Sequence, residues 1–158
     1  MFYEGILDKE SFVRRVQYCQ VDMNSIDPEL KDYDFCWPSC ALEHLGTIQQ
    51  RMDFIINTVE NCLKPGGAAC HTTEYNLSSN DQTIESGTTA IYRRKDIEAL
   101  IAELRQRGYS VVDFSVAPDT HEVDQYVDTP PFSPHGHLKL MLEDYAATSM
   151  ALVIQRAV

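Results

Sequence analysis

No glycine-rich phosphate or nucleotide loop precedes any strand candidate in this 158-residue chain, which removes the usual cradle for a nucleotide's phosphates. Basic residues are scarce, 13 Lys and Arg against 24 Asp and Glu, leaving a net charge of -11. Phosphate neutralisation carries most nonspecific nucleic-acid affinity, so such a surface disfavours an RNA or DNA substrate and fits a small or uncharged one. No apolar run is long enough to span a bilayer, and Met1-Phe-Tyr-Glu-Gly5 lacks the basic and apolar regions of a secretion leader. Neither nucleic acid nor membrane is expected as a partner, and a cytoplasmic location is. The cysteines are odd in number, five, and several lie in apolar stretches, the pattern of small buried, reduced thiols rather than a disulfide frame. Cys36-x-x-x-Cys40 has no second pair to complete a zinc site, so no metal is expected.

What is present is concentrated in the middle. Tyr33-Asp-Phe-Cys-Trp37 reads as a strand, followed by small and polar residues to Gly46. Ile48, Met52, Ile55, Ile56, Val59 and Leu63 then recur at helical spacing, with Gln49, Gln50, Asn57 and Glu60 on the outer side. Leu63-Lys-Pro-Gly-Gly67 should turn the chain into a second strand, Ala68–Glu74. Both strands end in polar residues, and in an open α/β sheet ligands bind outside the carboxyl ends of parallel strands, so both ends should face one crevice.

The rest is consistent with one α/β domain over residues 1–158. Lys9–Val16 reads as the end of a helix, and Val16–Val21 as a strand ending at Asp22. Tyr75–Gly87 is a polar loop and a candidate lid, and Thr88–Arg93 is a short strand candidate. Ile97, Leu100, Ile101 and Leu104 mark a second helix, opened by Asp96 and Glu98 and stopped by Gly108. Tyr109–Val116, His137–Leu142 and Ala147–Arg156 are further strand candidates. The acidic, proline-containing stretch 117–136 is loop, and it could cover a substrate.

With Asp34-Phe-Cys-Trp-Pro-Ser-Cys-Ala-Leu-Glu-His-Leu45 followed one helix later by Leu63-Lys-Pro-Gly-Gly67, the chain resembles class I S-adenosylmethionine-dependent methyltransferases. The likeness extends upstream through Val21-Asp-Met-Asn24 and downstream through Ser149-Met-Ala-Leu-Val-Ile154. It implies a Rossmann-like, mostly parallel sheet with an antiparallel C-terminal strand. It also implies S-adenosylmethionine as cofactor and methyl transfer to a small-molecule or glycan-type acceptor. The family's first strand with its glycine-rich loop, and its second with an acidic residue for the ribose, cannot be placed. The reading is therefore a truncated domain lacking its first two strands, inactive or impaired as it stands. An exposed sheet edge should follow, open to a missing N-terminal half or to self-association. The alternative is a non-catalytic module that pairs with a partner through that edge.

By that resemblance Asp22 and Met23 would contact adenine, while Trp37 and Ser39 would line the methyl-donor crevice. Asp22 could instead simply open a turn before Asn24, and Trp37 could be a core aromatic. Glu43-His44 is the acid–base candidate, a histidine titrating near neutrality beside a carboxylate, although Glu43 would equally suit a helix's first turn. On the second strand, alternation puts His71 and Thr73 on one side, opposite Thr72 and Glu74. Glu74, at the mouth with Tyr75, is the preferred acceptor contact together with His71 and Thr73; a solvated strand-end carboxylate is the competing reading. His135-Gly-His137 reads as loop polarity rather than a metal site.

Overall fold

A computed structural model describes residues 2, 3 and 5–158; Met1 and Glu4, part of the N-terminal reading above, lie outside the described residues. Helix α1 (Lys9–Arg15) buries no residue. The sheet contains β1 (Tyr33–Cys36), β2 (Leu63–Asn76), β3 (Ser110–Val111), β4 (Lys139–Leu142) and β5 (Tyr145–Gln155). Helix α2 (Ile48–Asn57) connects β1 to β2, α3 (Arg94–Gln106) connects β2 to β3, and the four-residue α4 (Glu122–Gln125) interrupts the following loop.

The order across the sheet is β1-β2-β5-β3, with β4 also on β5. Only the β1–β2 ladder is parallel; β5 pairs antiparallel with β2, β3 and β4. The C-terminal strand β5 is antiparallel, as expected, and the other four strands share one direction; because β5 lies in the middle, every ladder but one is antiparallel rather than mostly parallel. Val16–Val21 forms no strand and is largely exposed; it pairs with none of the described strands, and an isolated strand gains no ladder to stabilise it. Tyr109–Val116 contributes only Ser110 and Val111, and Thr88–Arg93 contributes a single bridge, Tyr92 to Tyr75.

Both long helices form where the sequence supplies caps and an apolar stripe. Thr47 and Gln50 exchange hydrogen bonds at the start of α2, the reciprocal cap that satisfies otherwise orphaned N–H groups. In α3, Asp96 accepts from the Arg93 backbone and guanidinium, 2.9 and 2.8 Å. Ile97, Leu100, Ile101 and Leu104 of α3 and Ile48, Phe54, Ile55 and Ile56 of α2 are buried in one cluster with Ala69, Tyr75, Met150, Leu152 and Ile154 of the sheet. Each such side chain stabilises the fold by about 1.5–3 kcal/mol.

Leu63-Lys-Pro-Gly-Gly67 is not a turn ahead of β2 but an irregularity within it. Tyr33 aligns with Leu63, while Phe35 already aligns with Ala68. A Cβ on Gly67 would come within 2.9 Å of the Lys64 carbonyl oxygen and 3.1 Å of that of Tyr33. Only glycine lets β1 and β2 approach so closely there.

The sheet's two faces differ. Ala69, His71, Thr73 and Tyr75 of β2 are buried beneath the helices, whereas Ala68, Cys70, Thr72 and Glu74 are only half-buried. Opposite these, Ser149, Ala151, Val153 and Gln155 of β5 are exposed. Beyond β1 the edge is open: Tyr33 and Phe35 are exposed, as is Trp37 just after the strand. Cysteines are less buried than expected: Cys62 is buried, Cys36 and Cys70 partly so, Cys19 and Cys40 exposed, and all five are free thiols. Among the described residues no helix is long and apolar enough to cross a membrane.

Candidate functional site

The carboxyl ends of β1 and β2 meet at one mouth. After β1, the Pro38 carbonyl accepts from the Thr72 N–H, and the Cys40 N–H donates to the Thr72 hydroxyl, both at 3.4 Å. This bracing carries the chain into a 3₁₀ turn, Leu42–His44, that stands over the end of β2. Arg51 of α2 holds the turn in place. Fully buried, it donates to the carbonyls of Ala90, Glu43 and Gly46, so one guanidinium joins the turn to the segment beside β2. Burial lowers the guanidinium's pKa, while nearby Tyr92 and Glu43 favour its charged form. Sequence reasoning took Arg51 for a helix residue of no note; a charged residue in the stripe facing the core was the available signal.

Of the acid–base pair, His44 is half-exposed and donates from Nδ1 to the Thr88 carbonyl at 2.7 Å. That leaves Nε2 free, 3.9 Å from Glu43 Oε1. Glu43 is buried, and its Oε2 has no hydrogen-bond partner. Glu74 reaches the same mouth from β2. Its Oε1 accepts from the Ser149 hydroxyl at 3.0 Å, and its Oε2 is buried without a partner. Burial raises the Glu74 pKa above the usual glutamate range; the Ser149 bond opposes this, the Glu43 charge adds to it and His137 counters it. Glu43 and Glu74, 31 positions apart in the sequence, are thus brought within electrostatic reach of each other.

The structure does not bring His71, Thr73 or Tyr75 to that mouth. All three point into the helix-covered face, at 0%, 4% and 5% exposure. His71 stacks edge-on against Phe54 with ring centroids 5.9 Å apart, and burial pushes its pKa down to about 4. Tyr75 packs against Phe114. Reaching an acceptor would require His71 and Thr73 to leave the core, whereas Tyr75 lines a separate cavity with Phe114, Ser149 and Met150. Asp22 is exposed and accepts from the Asn24 N–H at 2.9 Å, an Asx turn. Met23 packs partly buried against the core and shares a groove with Gln50 and Phe54 of α2. Trp37 is 65% exposed, and Ser39 is exposed beside Cys40.

Sequence reasoning missed Asp128 and the role of Asn76. Asp128 is 2% exposed in an otherwise polar loop. It accepts from the Tyr126 hydroxyl and the Ser133 N–H, at 3.1 and 3.0 Å. His137 Nδ1 lies 2.9 Å away at ion-pair distance, without a hydrogen bond's alignment. Tyr126, Ser133 and His137 are thus gathered around one buried carboxylate, and His137 lies within electrostatic reach of Glu74. Asn76 fastens the loop read as a lid, donating to Gln82 and Thr83 and accepting from the N–H groups of Ser78 and Ser79. An Asp or Asn inside a polar loop gives no sequence signal of such burial.

Against a cofactor of the S-adenosylmethionine type, these residues make one wall rather than a complete site. Met23, Trp37 and Ser39 offer apolar and polar surface, but Asp22 is already engaged in its own turn and no glycine-rich loop exists to hold an amino-acid end.

No model of a known protein family matches the sequence, and no curated protein matches it. Among solved structures the fold is similar to "an O-methyltransferase family protein from Burkholderia thailandensis", with TM-score 0.50 and 14% identity, over 93% of this chain and 37% of that one. This likeness shows the fold alone, a mixed α/β arrangement. The chain spans little more than a third of that neighbour's length.

Proposed function

We propose that this chain forms the acceptor side of an S-adenosylmethionine-dependent methyltransferase that transfers methyl to a small-molecule or glycan-type acceptor. The observation that carries the reading is the mouth over β1 and β2, where Glu43, His44 and Glu74 converge on a sheet of methyltransferase-like order. Methyl transfer needs donor and acceptor held at attack distance and, for a hydroxyl or amine, a group to take the proton. His44, with Nε2 free beside Glu43, is the base in this reading; Glu74 holds the acceptor, and the surroundings of Trp37 and Ser39 face the donor. The cofactor's remaining contacts come from polypeptide on the far side of the open β1 edge. Calorimetric titration of the chain with S-adenosylmethionine and S-adenosylhomocysteine tests this. Micromolar binding that is lost on Trp37→Ala supports it; a folded chain that binds neither overturns it.

The exposed Tyr33 and Phe35 on the open edge favour a second reading, a module that pairs with a partner chain or with its own copy. Sedimentation across a concentration series decides it: a stable monomer at all concentrations removes self-association, and a cytoplasmic setting is proposed for either reading.

A further inference from the structure

Two carboxylate oxygens at the mouth, Glu43 Oε2 and Glu74 Oε2, are buried and have no hydrogen-bond partner. Glu43 is itself nine-tenths buried, at 9% exposure. Buried ionised oxygens without donors are costly, and native proteins satisfy nearly all such groups. Little in the chain answers them. Arg51 lends Glu43 the field of its charge, but its bonds go to the carbonyls of Ala90, Glu43 and Gly46. His44 bonds Thr88 through Nδ1, its Nε2 stands 3.9 Å from the other Glu43 oxygen and makes no hydrogen bond to it, and His137 Nδ1 lies against Asp128. Ser149 satisfies only the other oxygen of Glu74.

We infer that this mouth binds a protonated amine, so that the methyl acceptor of the proposed reaction is an amine-bearing small molecule or amino sugar. The inference rests on the methyltransferase reading for the word acceptor, and on the mouth alone for the ammonium. An ammonium carries three N–H donors and a full positive charge, the donors the orphaned oxygens lack and the charge that offsets the repulsion between the two carboxylates. A metal ion fits less well, because among the described residues no three His, Cys, Asp or Glu side chains gather as a ligand set. The exposed Trp37, three residues ahead of the Cys40 that is bonded to Thr72, offers an aromatic face of the kind that attracts organic cations.

The test is a ¹⁵N–¹H correlation titration at pH 7 with 2-phenylethylamine and, as its uncharged match, 2-phenylethanol. The amine should shift the amides of Glu43, Glu74 and Ser149 saturably, and the alcohol should bind them at least tenfold more weakly. Glu43→Gln with Glu74→Gln should weaken the amine at least tenfold; Glu98→Gln with Glu122→Gln, an equal charge change on α3 and α4, should leave it unchanged. Equal binding of alcohol and amine, absence of shifts, or equal loss in the remote variant each overturns the inference. The two readings fail separately: amine binding without any cofactor binding leaves a cation site on a non-methylating protein, and cofactor binding without amine binding leaves a methyltransferase for another acceptor.

Discussion

His71 should make the fold sensitive to acid well above the range where carboxylates alone act. Its ring is fully buried against Phe54, neither nitrogen has a partner, and its pKa falls from 6.5 to about 4. The folded state therefore holds it neutral while the unfolded chain takes up a proton below about pH 6.5. Between those values the unfolded state binds more protons, so stability is fully present above about pH 6.5 and declines as pH falls towards 4. A shift of this size corresponds to about 3 kcal/mol in the limit, and to about 2.5 kcal/mol between pH 7 and pH 4.5. His71→Leu removes the titration while nearly keeping the volume. At pH 7 it relieves the buried, unpartnered imidazole, about 1–3 kcal/mol, and loses an aromatic pair of about 0.5–1.5 kcal/mol, for a net gain of about 1 kcal/mol. Urea unfolding of both proteins at pH 7 and 4.5 isolates the effect, because titrations common to both cancel in the comparison. Equal losses on acidification would refute the reasoning and mean that His71 charges without leaving the core.

Two further outcomes follow from the packing. Arg51→Met should destabilise the chain by about 3–5 kcal/mol, since it strands three carbonyls and removes the charge facing Glu43; a thermal midpoint within a degree or two of wild type would deny Arg51 this role. Gly67→Ala should cost about 1–3 kcal/mol by forcing β1 and β2 apart at the Lys64 and Tyr33 carbonyls, and unchanged unfolding would show that the close approach relaxes freely.

Periodicity made both long helices readable, because an apolar stripe every three to four residues has one economical home, against a sheet. Alternation likewise put His71 and Thr73 opposite Thr72 and Glu74, and burial along β2 follows that pattern. Alternation could not say which face the helices cover. For that reason His71, Thr73 and Tyr75, proposed as acceptor contacts, lie in the core, while Glu74 stays at the mouth. Val16–Val21 carries a strand-like pattern but has no neighbour with which to form a ladder. The middle position of β5, not its sequence, made the sheet mainly antiparallel in its ladders.

By itself the sequence determined where the long helices run, that His71 and Thr73 share one side of their strand, and that polar residues end both central strands; these are local consequences of side-chain chemistry and backbone sterics. Only the tertiary structure decided that Glu43 and Glu74 share one mouth, that Arg51 pins the turn above it, and that Asp128 gathers Tyr126, Ser133 and His137 around its carboxylate. Each of those depends on burial and on contacts between residues far apart in the chain, and both are properties of the packed molecule.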